Sequence, residues 1–385
     1  MFISHLTLKN WRNFKHIDVP LRERVFVIGP NACGKSNFLD ALRFLRDVAR
    51  SGGGLQEAVR LRGGVSKIRC LSARSKPDVS IEITMSDEDT GTQRWKYTLV
   101  FSQSGGGVVD VVAKVKNETV CGENGASIHI RPDNKDREDE RLLQYTHLEQ
   151  PTANASFRDI ADFFSGMQYL HIVPQLVRDP QSFVKTANTE DFYGRDFLER
   201  VKRTGERVRH SYLRKIEQAL VSAVPQFERL TMENDDMGVP HLQMRYRHWR
   251  SGGARQREDQ FSDGTLRMIG LLWSLLDGTR PLLLEEPELS LNREIVGKLG
   301  ALIYRMQRQK RRQVIVSTHS GDLLADPGIG AEEVLLMAPG AEGTEVRPAS
   351  SHDEIRRFLK SGMTIGEAAL PFTRPEKVDQ LDLFQ

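Results

Sequence analysis

The sequence is short of cysteine, of long apolar runs and of net charge, and each shortage removes a class of protein. Its three cysteines, Cys33, Cys70 and Cys121, are an odd number with no Cys-x-x-Cys spacing. That argues against a disulfide framework and a zinc ribbon, and it suits a reducing cytosol. No apolar run approaches the roughly 18 residues of a membrane helix. The opening MFISHLTLKNWRNF is broken by His5, Lys9 and Arg12 before a signal-peptide core can form, so the expectation is a soluble, cytoplasmic chain that is not exported. Lys+Arg 55 against Asp+Glu 52 leaves a net charge of +3, so attraction to a polyanion must come from local clusters. What is present, 39% hydrophobic and 28% charged residues over 385 positions, is the composition of a folded chain with about two to three domain-sized units.

Hydrophobic periodicity divides the chain into an α/β start, a β-rich block, a helical zone and a second α/β stretch. ISHLTL and HIDVPL alternate around the polar turn NWRNFK as a half-buried hairpin. VFVIG reads as a buried strand, and Asn37–Val48 repeats its apolar residues at helical spacing. VSIEITM, RWKYTLVF, VVDVVAKV and SIHIRP read as mostly antiparallel strands, whereas DNKDREDERL at 133–142 reads as a solvated loop or helix start without chemistry. Helices are expected from about Ser156 to Phe164 and through Asp191–Val221, with QYLHIV as a strand between them. HLQMRYRHW, PLLLEE and QVIVSTHS read as strands and alternate with two helices, which implies a parallel sheet covered on both faces. From about Ser361, Pro371 and Pro375 favour an extended tail. The expected division is 1–150 for an N-terminal α/β lobe with antiparallel β subdomain, and 151–235 for a helical insertion or lid. Residues 236–345 are expected to form a C-terminal α/β lobe, and 346–385 a helix and tail.

Two stretches carry chemistry. Gly29-Pro30-Asn31-Ala32-Cys33-Gly34-Lys35-Ser36 fits GxxxxGK[ST] between a strand and a helix. Its glycines let backbone N–H groups wrap a phosphate at a helix N-terminus. Lys35 would reach the β- and γ-phosphates of ATP, Ser36 would offer its hydroxyl to Mg²⁺, and Asn37 follows as the next residue of the site. Leu282-Leu283-Leu284-Glu285-Glu286-Pro287-Glu288 is an apolar strand that ends in adjacent carboxylates. Glu285 can hold the metal ion and Glu286 can polarise an attacking water. In isolation a solvated acidic loop would explain these carboxylates equally well.

The order of these motifs resembles that of the ABC-type ATPases of DNA metabolism, the RecF, SMC and OLD-like group. Phe261-Ser262-Asp263-Gly264-Thr265 resembles the ABC signature in its SDG form. Val316-Ser317-Thr318-His319-Ser320 is similar to the strand that delivers the switch histidine, and Trp11-Arg12-Asn13-Phe14 to the N-terminal region of the group. Leu170-His171-Ile172-Val173-Pro174-Gln175 resembles the strand leading to the Q-loop glutamine, although a solvent-facing Gln is an equally simple reading. The resemblance covers about residues 1–50 and 165–340. It departs from the common pattern at Glu285, where many ABC proteins carry Asp and OLD-like members carry Glu. It implies an ABC-type P-loop fold with a mixed sheet, an antiparallel β subdomain and a helical lid. It further implies nucleotide contacts from Gly29, Asn31, Gly34, Lys35, Ser36, Asn37, Arg12, Ser262 and Gly264, metal contacts from Ser36, Gln175 and Glu285, and catalysis by Glu286, Lys35 and His319.

An ABC signature serves the γ-phosphate held by another subunit, so the resemblance implies a head-to-tail homodimer closing on two ATP molecules. The expected function is an ATPase acting on or sensing DNA in repair or in defence against phage and mobile DNA. The alternative is a nucleotide-gated scaffold or sensor that controls a separate nuclease or toxin. No Toprim-like domain is expected within the chain. Basic residues gather at Lys202, Arg203, Arg207, Arg209, Arg214 and Lys215, and again at Arg245, Arg247, Arg250, Arg255 and Arg257, the latter interleaved with Tyr246, His248 and Trp249. Both sets suit a phosphate backbone, and both would also look ordinary on an exposed surface. Gln380-Leu381-Asp382-Leu383-Phe384 resembles the pentapeptide by which bacterial repair proteins dock to the sliding clamp; a segment folded back over an apolar patch is the simpler alternative.

Overall fold

A computed structural model describes residues 1–73, 77–87, 91–105, 111–178, 194, 196–224, 226–247 and 254–374. The chain opens with the hairpin β1 (Phe2–Trp11) and β2 (Phe14–Pro20), then β3 (Arg24–Ile28) and the helix α1 (Lys35–Ala49). Short helices α2 (Leu55–Arg60) and α3 (Val65–Ile68) lead into β4 (Val79–Ser86), β5 (Gln93–Ser104), β6 (Val112–Cys121) and β7 (Ser127–Arg131). Next come α4 (Asn134–Glu138), α5 (Arg158–Ser165), β8 (Gln168–Leu170), α6 (Pro174–Arg178), α7 (Phe197–Arg203) and α8 (Glu206–Val221). The strands β9 (Phe227–Asn234), β10 (Pro240–Tyr246) and β11 (Ala254–Arg257) precede α9 (Asp263–Leu276), β12 (Leu282–Glu285), α10 (Arg293–Lys310) and β13 (Val314–Ser317). The described chain closes with β14 (Val334–Gly340), β15 (Gly343–Pro348), α11 (Asp353–Lys360) and α12 (Ile365–Ala369).

Three sheets result. The first, in the order β2-β1-β4-β5-β6-β7, is antiparallel throughout. The second runs β15-β14-β3-β13-β12-β8 and is parallel from β14 to β8, with β15 antiparallel at its edge. The third is the small antiparallel sheet β11-β10-β9. The parallel strands are apolar on both faces because each separates two cores. Val25, Val27, Leu283 and Ile315 point into a core shared with α1 and the first sheet. Their neighbours Phe26, Ile28, Leu282, Leu284, Val314 and Val316 point into a second core shared with α8, α9 and α10. Among the described residues no helix is long and apolar enough to cross a membrane.

The structure corrects the sequence-based expectations in five places. The third strand of the β block is Val112–Cys121, shifted toward the C-terminus from VVDVVAKV. The charged stretch 133–142 is not simply solvated. Asp133 and Asp136 form a capping box, and Asp136 is buried against Arg131, which also pairs with buried Glu118. The strand QYLHIV ends at Leu170, and Pro174 starts a helix, its fixed φ and missing N–H being suited to that position. The expected helical insertion also contains β9, which pairs with β10 beneath α8. The described residues after Ser361, up to Arg374, are not extended. Thr364 and Glu367 form a capping box for α12, whose Ile365, Ala368 and Ala369 are buried. Pro375 and the segment Gln380–Phe384 lie outside the described residues, as do His248, Trp249 and Arg250.

Candidate functional site

Four parallel strands, β3, β13, β12 and β8, end on the same edge of their sheet, the edge where open α/β sheets bind ligands. The loop after β3 is the GxxxxGK[ST] segment. A Cβ on Gly29 would lie 2.7 Å from both Cys33 Sγ and the Met337 carbonyl oxygen. Gly34 caps α1 in the left-handed region at φ 104°, where a Cβ would fall 2.2 Å from Asn13 Nδ2. Ala32 is also left-handed, at φ 61°. The loop therefore needs its glycines for close approach as well as for conformation.

Asn13 braces this loop, a role that the sequence does not reveal. Its Nδ2 donates to the Cys33 carbonyl and to Thr344 Oγ1, each at 2.6 Å, and its Oδ1 accepts from Asn37 Nδ2 at 2.8 Å. Thr344 in turn donates to the Cys33 carbonyl at 2.7 Å, and Trp11 Nε1 donates to the Asn37 carbonyl at 2.9 Å. The Trp11–Phe14 motif is plain in the sequence, yet only its Arg12 is expected at the nucleotide. Arg12, left-handed at φ 53°, donates to Asp40 Oδ2 at 3.2 Å and lines a groove of about 410 Å³ with Ser36, Asn37, Arg43 and Arg62. Burial opposes ionisation of Asp40, but the guanidiniums of Arg62, Arg43 and Arg12 overcome it and hold the carboxyl below its usual range.

Lys35 is buried, and its Nζ donates to the carbonyls of Gly29 at 3.1 Å and Pro30 at 3.0 Å. Burial lowers its pKa, opposed in part by Glu286, Glu285 and Glu288. Ser36 Oγ donates to Glu285 Oε1, and Tyr169 of β8 donates its hydroxyl to Glu285 Oε2. Tyr169 was not anticipated; it stands opposite Leu283 in the parallel pairing, and Arg43 lies 4.1 Å from its ring centroid. Asn31 is exposed at the loop tip.

Glu286 leaves β12 in the left-handed region, at φ 44°, with its N–H bonded to the Ser317 carbonyl at 2.9 Å. A glutamate in that conformation is strained, and such residues cluster at functional sites. His319 Nε2 lies 3.2 Å from Glu286 Oε1. Burial first, and then the Lys35 charge, lowers the pKa of His319 and favours its neutral form. Glu288 Oε1 accepts from Thr318 Oγ1 at 2.5 Å and from the His319 N–H at 3.2 Å, while its Oε2 is buried with no hydrogen-bond partner among the described residues. Burial raises the pKa of Glu288.

The signature stretch opens α9. Ser262 is exposed and caps the helix, accepting from the Thr265 N–H at 3.2 Å. A Cβ on Gly264 would lie 2.5 Å from the Ser290 carbonyl oxygen, so the turn after β12 packs directly on the signature. Arg178 of α6, also unanticipated, donates to the Phe261 carbonyl and pairs with Asp263, both at 2.6 Å. Gln175 is exposed on α6, and among the described residues no hydrogen bond joins it to Ser36 or Glu285. The edge thus gathers Lys35, Ser36, Glu285, Glu286 and His319, with Arg12 and Asn37 in the adjoining groove.

This fold and these motifs define an ABC-type ATPase of the RecF, SMC and OLD-like group. A family model described as "AAA domain, putative AbiEii toxin, Type IV TA system" matches residues 24–326, and the chain belongs to that family. Among curated proteins, it is 47% identical over 47 residues to endonuclease GajA of Bacillus cereus, a stretch covering 12% of this chain and 8% of that one. It is 32% identical over 89 residues to the DNA replication and repair protein RecF of Bacillus mycoides, covering 22% of this chain and 24% of that one. The matched stretches are thus far shorter than these relatives. An SMC head crystallised with the C-terminal winged-helix domain of ScpA shares the fold, with a TM-score of 0.53 and 14% identity over 90% of this chain and 98% of that one.

Proposed function

We propose that the chain hydrolyses ATP in a head-to-tail homodimer and that this cycle acts on or senses DNA, in repair or in defence against phage and mobile DNA. The observation that carries the reading is the convergence of Lys35, Ser36, Glu285, Glu286 and His319 at one sheet edge. The residues fit a magnesium nucleotide. Gly29 and Gly34 allow a backbone cradle, the buried Lys35 ammonium lies within it, and Ser36 and Glu285 present hard oxygen donors side by side. Held by Ser36 and Glu285, with Gln175 as a further ligand, Mg²⁺ would neutralise charge on the β- and γ-phosphate oxygens.

The remaining chemistry falls to the chain. Gly29, Asn31 and Gly34 belong to the phosphate loop, Lys35 supplies positive charge to it, and Arg12 and Asn37 border the nucleotide groove. Glu286 accepts a proton from the attacking water while His319 holds its carboxylate. Ser262 and Gly264, at the exposed start of α9, serve the γ-phosphate bound by the other copy. The DNA half of the reading is supported by the likeness to a DNA replication and repair protein and to an endonuclease. Docking to a sliding clamp through Gln380, Leu381, Asp382, Leu383 and Phe384 is part of the same proposal.

Glu286→Gln tests it. The variant should lose turnover and accumulate as an ATP-bound dimer in sedimentation, and adding Ser262→Arg should return it to monomer. A double variant that still dimerises fully with ATP contradicts the head-to-tail arrangement. If Glu286→Gln keeps or gains cellular activity, the chain is a nucleotide-gated scaffold controlling a separate effector.

A further inference from the structure

The small sheet β11-β10-β9 places arginines in line. Its register sets Arg229 of β9 opposite Arg245 of β10, and Arg245 opposite Arg255 of β11. In the next row Arg257 faces Gln243, which faces Thr231. Leu230, Leu242 and Met244 take the other face and are buried in the core shared with α8, so the arginine rows lie on the face turned away from that core. Arg229, Arg255 and Arg257 are exposed.

Like charges directly opposite in a sheet destabilise it. Neighbouring strands are about 4.8 Å apart and alternate residues about 6.8 Å apart along a strand, less than the Debye length of about 8 Å at physiological salt. The fields of these cations therefore add. The register shift beside Arg245 opposes both Glu228 and Arg229 to it, and Glu228 pairs with Arg245 at 2.9 Å. Among the described residues, Glu228 is the carboxylate that pairs with an arginine of these rows, while Glu233 lies further along β9 and Asp235 and Glu258 are taken up by His241. His241, at its far end, is engaged by Glu258 at 2.7 Å and by Asp235 at 3.4 Å.

We propose that this face binds the phosphate backbone of duplex DNA, an inference that rests on the DNA half of the function proposed above. Guanidinium groups match phosphate in forked, paired hydrogen bonds, and a grid of them suits a surface of regularly spaced phosphates better than a single anion. Tyr246 is half-buried against the core, so what the described residues of this face offer is phosphate contacts and not a stacking platform. The site is coupled to the nucleotide machinery. Glu258, just after β11, is buried, bonds His241 and accepts from the Leu242 N–H at 2.8 Å, and so fixes the sheet to the turn that enters Ser262.

The test is duplex-DNA affinity against salt for the full chain, compared with Arg229→Gln/Arg255→Gln/Arg257→Gln. The logarithmic salt slope should fall by nearly one for each phosphate that is no longer neutralised, about three in all, and affinity near physiological salt should fall at least tenfold. The corresponding triple Arg→Lys variant should keep the slope, and ATP turnover without DNA should be unchanged in both. A wild-type chain that binds no duplex DNA, or binds anionic vesicles or duplex RNA in preference, overturns this inference together with the DNA reading beneath it. A wild-type chain that binds duplex DNA while the Gln variant binds with equal affinity and slope overturns the inference alone.

Discussion

Glu285 is held from two sides, by the Ser36 hydroxyl after β3 and by the Tyr169 hydroxyl on β8. The longer glutamate places its second oxygen where β8 can reach it, so Tyr169 would act as a positioning residue for the carboxylate proposed to hold Mg²⁺. Loss of such an outer partner typically lowers metal affinity about 10- to 100-fold. Tyr169→Phe should therefore raise the Mg²⁺ concentration for half-maximal turnover about tenfold while ATP affinity measured without metal stays the same. Glu285→Asp, which shortens the reach, should make the Tyr169→Phe change nearly silent; equal effects in both backgrounds would leave Tyr169 a packing residue only. Lys35, Ser36, Glu285, Glu286 and His319 were legible because each stands in a contiguous motif. Asn13, Tyr169 and Arg178 were not, because their partners are distant in sequence and found only through sheet order or helix packing.

Among the elements, the parallel strands were plain in the sequence because burial on both faces makes them continuously apolar, as in Leu282-Leu283-Leu284. Strand β9, with its exposed arginine and glutamates, lacks that signal, and α12 was obscured by flanking prolines despite its Thr364–Glu367 capping box. The β subdomain carries its own polar core. Glu118 and Arg131 are fully buried and paired at 3.2 Å, and His129 and His147 lie beside them with ring centroids 4.7 Å apart and ring planes tilted by 35°. Burial first, reinforced by the Arg131 charge, lowers both histidine pKa values from 6.5, against the opposing carboxylates of Glu118 and Asp136 and, for His129, Asp133. The unfolded chain therefore binds more protons once pH falls below about 6.5, and the stability present above that pH is lost as it drops toward the lowered folded values. The melting temperature should fall by about a few degrees between pH 7.5 and 5.5, and His129→Phe should flatten that dependence. An unchanged slope in the variant would assign the acid sensitivity to other groups.

At the scale of the whole molecule, the sheet edge and the signature helix belong to one fold but are proposed to serve different nucleotides of the same dimer. Arg178 ties the signature to α6, and Gly264 packs on Ser290 in the turn after β12, so the signature is in direct contact with the segment that follows the carboxylates. In the proposed closed dimer there would be two composite sites, each with a phosphate loop from one copy and a signature from the other. That proposal comes only from the resemblance of the motifs, since no periodicity or composition encodes which copy a motif serves. The most direct measurement mixes two inactive chains, Lys35→Ala and Ser262→Arg. The account predicts that each mixed dimer regains one intact site, so ATP-dependent dimers and turnover return although neither variant shows them alone. A mixture as monomeric and inactive as its components would contradict it.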